Sequence, residues 1–179
     1  MRWLKLAIPF IGVSALLLLL GNALFSESKV SLPSTLLNQP LPSFNLPDLH
    51  HSQQYFQSKE LTGKVSLLNI WATWCYACAM EHDVLMDIKE KYHVAIYSIN
   101  YKDQALSAKQ WLSKKGNPYV KTGSDEGGDV AIDLGIYGTP ETFVVSPQGK
   151  ILYRHVGALT HQVWVDVLYP IIKQYDNER

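Results

Sequence analysis

The chain has 179 residues, with 16 basic residues balanced by 16 acidic ones. No basic stripe stands out, which excludes nucleic acid as a partner. There are only two cysteines, too few for a disulfide-stapled scaffold or a four-cysteine zinc site.

Leu6 to Phe25 is an uncharged run, with Leu16 to Leu20 unbroken. At about 1.5 Å per residue, a helix of this length spans about 30 Å, the thickness of a bilayer core. Arg2 and Lys5 precede the run, while Glu27 and Lys29 follow it. The positive-inside bias therefore predicts a single-pass anchor with a cytoplasmic stub and an exported remainder. A cleaved signal peptide ending at Ser26-Glu27-Ser28 is the rival reading, but its apolar region would be shorter. The expected division is 1–25 stub and transmembrane anchor, 26–35 linker, and 36–179 folded domain. Without Arg2 and Lys5, the rest of the chain keeps fourteen basic residues against sixteen acidic ones.

Pro33, Pro40, Pro42 and Pro47 interrupt any regular element early in the domain. Phe44 and Leu46 alternate with polar residues and predict a short edge strand. Val65 to Trp71 reads as a strand buried on both faces. A helix carrying Val84, Leu85, Ile88 and Tyr92 on one side follows the cysteines. Val94 to Tyr101 predicts a strand, and Ala105 to Lys115 a helix stopped by Gly116-Asn117-Pro118. Val130 to Leu134 predicts a short helix ended by Gly135. Glu141 to Ser146 and Lys150 to Val156 predict a hairpin across Ser146-Pro147-Gln148-Gly149. Thr160 is placed to cap a last helix, which Pro170 should bend or split. Strands alternating with helices predict an α/β fold, a central mixed sheet flanked by helices.

Cys75 and Cys78 stand at the start of the helix that follows the first long strand. Unpaired N–H groups and the positive helix end favour thiolate there, and thiolate is the species that attacks disulfides. A structural staple is the duller reading, but so small a loop adds little stability. Half a zinc site lacks partners. A CxxC opening the first helix of such a pattern is thioredoxin-like. In that fold Pro140 faces the cysteines and is expected to be cis, leaving the Thr139 backbone free to pair with an extended substrate.

The blocks Trp71-Ala72-Thr73-Trp74-Cys75-x-x-Cys78-x-x-Glu81-His82, Asn100 to Asp103, Gly116 to Tyr119, Asp133 to Phe143 and Tyr153 to Gly157 resemble the CcmG/DsbE family. The likeness runs from about residue 36 to 175 and includes the anchor. It implies a membrane-anchored, thioredoxin-like thiol:disulfide oxidoreductase of the periplasm that acts as a reductant in cytochrome c maturation. Its implied substrates are the haem-binding CxxCH cysteines of apocytochrome c or a partner thiol protein of the maturation apparatus. Its implied electron source is a transmembrane thiol carrier of the DsbD/CcdA type. No bound cofactor is expected, because the cysteines carry the electrons, and no metal site is expected.

Cys75 is expected to attack and Cys78 to resolve. Glu81 is expected to accept the Cys78 proton or tune thiol acidity, in place of the acid that thioredoxin carries where this chain has Asn69. Trp74, Tyr76, Thr139, Pro140 and Glu141 are expected to contact substrate, with Glu141 adding a negative rim. His82 reads as a surface residue. The family usually places a proline-containing pair between its cysteines, and Tyr76-Ala77 departs from that. The alternatives are a general disulfide oxidase or isomerase, or a non-catalytic apocytochrome- or metal-binding module. An oxidase would carry a large helical insertion before Pro140, and copper carriers of this fold space their cysteines one residue wider.

Overall fold

The computed structural model describes residues 12–21, 36–51 and 53–176. Residues 12–21 form a helix, α1, within a first unit, Met1–Leu32, that is distinct from Pro33–Arg179. No helix among the described residues is long and apolar enough to cross a membrane. The rest of the expected span, its flanking charges and the 26–35 linker lie outside the described residues.

In the second unit a five-stranded sheet carries the architecture. Its strands are β3 (Ser66–Trp71), β4 (Ile96–Tyr101), β5 (Lys121–Asp125), β6 (Glu141–Val145) and β7 (Ile151–Val156), in the order β5-β4-β3-β6-β7. β3 runs parallel to β4, and β4 parallel to β5, while β6 and β7 are antiparallel to their neighbours. The central strand β3 is buried throughout, as its near-continuous apolar sequence requires. Because side chains alternate along a strand, Leu67 and Trp71 enter one core and Leu68 and Ile70 the other.

The Leu67 face is covered by α2 (Tyr76–Asp87), α3 (Ala105–Lys115) and the C-terminal helical segment. That segment comprises α5 (His161–Val163), a π turn (Trp164–Leu168) and α6 (Tyr169–Asp176). Thr160 caps it, its Oγ1 accepting the Val163 N–H at 3.2 Å. Pro170 does not split the helix. Proline cannot donate to the carbonyl four residues back and crowds it, and the wider π turn lies where Asp166 would meet the ring.

The opposite face is covered by α4 (Asp129–Asp133) and by the segment before β3. There β1 (Asn45–Pro47) pairs with β2 (Tyr55–Gln57), a strand that the sequence pattern does not predict. Asn38 and Leu41 donate backbone N–H groups to Ile151 and Gly149 beside β7, and Leu49 donates to Thr122 in β5. The stretch from Asn38 to Leu49 thus crosses the sheet from one outer strand to the other, burying Leu41, Phe44 and Leu46 on the way.

β5 is the second unpredicted strand. Its sequence, Lys-Thr-Gly-Ser-Asp, has no apolar alternation, yet four of its five residues are buried. Gly123 is required there, since a Cβ would stand 2.9 Å from the Leu46 side chain. His82, expected at the surface, is buried: α2 turns it inward with Cys78, Glu81 and Leu85. Its ring meets Trp111 edge-on at 4.5 Å, and burial lowers its pKa below the usual histidine value.

Candidate functional site

β3 delivers the chain to the N-terminus of α2, where Cys75 is the N-cap. Cys75 and Cys78 form a disulfide with Cα atoms 5.3 Å apart. The Cys75 Sγ also accepts the Cys78 backbone N–H at 3.0 Å, a bond that favours negative charge on that sulfur once the bridge is open. Cys75 is 6% exposed and Cys78 3% exposed.

The approach to the cysteines is held by Asp103, which the sequence reading did not single out. Its carboxylate accepts the Thr73 N–H at 2.6 Å, the Thr73 hydroxyl at 2.9 Å and the Asn100 amide at 3.0 Å. Trp74 is exposed, with its indole N–H donating to the Lys102 carbonyl at 3.0 Å. Tyr76 stands out further, at 81% exposure. These two exposed aromatic residues flank Cys75 in the chain. Trp71 belongs to the core, its indole N–H donating to Ser98.

The Thr139–Pro140 peptide is cis. No backbone hydrogen bond to Thr139 occurs among the described residues, and its hydroxyl is buried without a partner. The Pro140 carbonyl accepts from Gly157. Glu141 does not form a negative rim. Its side chain is 1% exposed and binds Arg154 Nε at 2.6 Å, while Arg154 also reaches the Gly135 carbonyl at 2.8 Å. A paired, buried carboxylate offers a substrate little charge, so the structure removes that role and gives Glu141 a structural one.

Glu81 lies one turn after Cys78 and is 1% exposed. Its Oε1 accepts the Asn69 amide at 2.8 Å, and its Oε2 accepts the Leu159 N–H at 2.7 Å. Burial pushes its pKa up from 4.5 to about 7, against both hydrogen bonds, which lower it. The carboxyl group behind the inner cysteine can therefore take up and release a proton near neutral pH.

A raised carboxyl pKa favours the protonated form in the folded state. That stabilisation is fully present below about pH 4.5 and is lost as pH rises through about 7, a swing of about 3 kcal/mol. Denaturant unfolding of the oxidised protein at several pH values should show this decline, and Glu81→Gln should remove it. An equally steep decline in the variant would refute the assignment.

A family model described as Redoxin matches residues 36–168. The chain is 40% identical over 167 residues to the thiol:disulfide interchange protein DsbE of Pseudomonas fluorescens biotype C, covering 93% of this chain and 92% of the relative. It is 39% identical over 174 residues to that of Escherichia coli strain K12, covering 96% and 93%. Among solved structures, a secreted thiol-disulfide isomerase from Corynebacterium glutamicum superposes with a TM-score of 0.65 at 23% identity, over 74% of this chain and 85% of that one. A DsbF homologue from Corynebacterium diphtheriae gives 0.64 at 22%, over 74% and 86%. At such identities these two structures speak for the thioredoxin-like fold alone.

Proposed function

The chain belongs to the DsbE family of thiol:disulfide interchange proteins and is a thiol:disulfide oxidoreductase, and from that premise we propose that it reduces the haem-binding CxxCH disulfide of apocytochrome c, or that of a maturation partner, at the periplasmic face of the inner membrane. In this reading the 1–25 segment tethers the domain, and a DsbD/CcdA-type membrane carrier returns the Cys75–Cys78 bridge to the dithiol.

The Cys75 thiolate attacks one substrate sulfur, forming a mixed disulfide and releasing the other substrate sulfur as thiolate. Cys78 passes its proton to Glu81 and attacks Cys75, which frees the second substrate sulfur. Two electrons leave the protein, which ends as the disulfide, and the substrate thiolates take protons from water. The Thr139 backbone pairs with the extended substrate beside the cis proline, and Trp74 and Tyr76 cover its flank. The observation that carries the exchange step is a buried carboxyl group one helical turn after the inner cysteine, while the choice of substrate is supported by the DsbE relatives. The resolving step needs such a proton acceptor.

Spheroplasts that make the full chain provide the test. Given an oxidised CxxCH peptide that cannot cross the membrane, they should reduce it much faster than they reduce insulin. Equal rates on both substrates would overturn the substrate assignment. No reduction by spheroplasts, alongside rapid reduction by the purified dithiol protein, would overturn the placement.

A further inference from the structure

Asn69 sits in β3 facing α2, with a different partner at each end of its amide. Its Nδ2 donates to Glu81 Oε1 at 2.8 Å, to Thr142 Oγ1 at 3.1 Å and to the Glu141 backbone carbonyl at 3.5 Å. Its Oδ1 accepts the Tyr119 hydroxyl at 2.9 Å. All four side chains are buried. An amide turned by half a circle would set its oxygen against a Glu81 oxygen, two acceptors facing each other away from water. Such a clash is costly in a dry interior. The Leu159 N–H on the other carboxylate oxygen is backbone and cannot turn with it.

The Glu81 carboxylate and the Glu141 carbonyl hold the amide's NH₂ end, and the Tyr119 hydroxyl holds its oxygen end. Tyr119 is well fixed for that task. Its ring stacks on Trp71 with centroids 5.7 Å apart, and its N–H is held by the Asn117 side chain at 3.0 Å. Burial raises the phenol pKa well above its usual value, so the hydroxyl keeps its proton and stays a donor.

We propose that Tyr119 is a positioning residue for thiol exchange, its hydroxyl holding the Asn69 amide with the NH₂ group turned to Glu81 so that the carboxylate behind Cys78 always has a donor. The proposal rests on the reading of Glu81 as the proton acceptor of Cys78. Few other titratable groups surround Glu81. Cys78 lies one turn earlier on α2, while the neighbouring His82 turns to the Lys115 carbonyl and Glu141 is paired with Arg154. Tyr119 follows the loop that ends α3, far along the chain from both cysteines, and closes the Gly116-to-Tyr119 block of the family resemblance.

Tyr119→Phe keeps the ring and deletes the donor. In the oxidised protein, the Glu81 carboxyl followed by ¹³C NMR should titrate about one pH unit higher than in the wild type. In the reduced protein the Cys78 thiol titration should move as well, and that movement should vanish in a Glu81→Gln background. An unchanged Glu81 midpoint in Tyr119→Phe overturns the proposal, whatever Glu81 does for the thiol. If Glu81→Gln alone leaves the Cys78 titration unmoved, the proton-acceptor reading fails instead. Should the Phe variant not fold, the wild type still decides. Its Asn69 NH₂ protons should titrate with Glu81 and exchange slowly with solvent, and NH₂ signals indifferent to the Glu81 titration would refute the lock.

Discussion

Cys78→Ser is expected to accumulate a covalent complex with substrate, and Cys75→Ser to lose disulfide reduction down to the background rate without any such complex. The asymmetry follows from the helix end. Cys75 is the N-cap and accepts the Cys78 N–H, so its thiolate is stabilised by a backbone donor and by the helix dipole. Cys78 lies one turn in and is 3% exposed against 6% for Cys75, which leaves Cys75 the sulfur nearer the helix end. With Cys78 gone, the first exchange proceeds and the second has no nucleophile. With Cys75 gone, the first exchange never begins. Non-reducing electrophoresis after incubation with an oxidised CxxCH peptide separates the cases. A trapped complex in Cys75→Ser rather than Cys78→Ser would reverse the roles.

Arg154→Met should destabilise the fold by about 3–5 kcal/mol, the usual cost of leaving a buried carboxylate without its counter-charge. The Arg154 and Glu141 side chains are 5% and 1% exposed, so water does not replace the lost partner. The guanidinium also lies over the Tyr137 ring at 4.6 Å and binds the Gly135 carbonyl. Its removal therefore loosens the loop that leads into the cis proline as well as the strand after it. Adding Glu141→Gln removes the stranded charge and should recover a large part of the loss. Urea unfolding of the three proteins measures both effects, and a loss below about 1 kcal/mol in the single variant would show that the pair is not effectively buried.

The parts of the site written locally were readable in advance. CxxC after an apolar run places two sulfurs at a helix start, and, given the fold this implies, Pro140 was expected to be cis, as it is. The partners of Glu81 were not so readable. Asn69 is 12 residues away and Leu159 is 78, and Tyr119 joins through Asn69 from 50 residues off. Only the packing of α2 and of the loops before β5 and after β7 against β3 brings them together. Glu141 failed as a rim because its cation comes from the next strand. β5 was invisible because Thr122 to Asp125 are buried by position in the sheet and not by side-chain type. His82 was misplaced because a single polar residue says little about which side of a helix it occupies.

The path of Asn38 to Leu49 bears on aggregation. Outer strands normally offer a free row of N–H and C=O groups to any extended chain that passes. Here the same short stretch is hydrogen-bonded to β7 at one end and to β5 at the other, so neither margin is left wholly open. The Thr139 backbone, by contrast, has no hydrogen bond among the described residues. Each outer strand so engaged presents fewer free groups on which copies of the protein could stack.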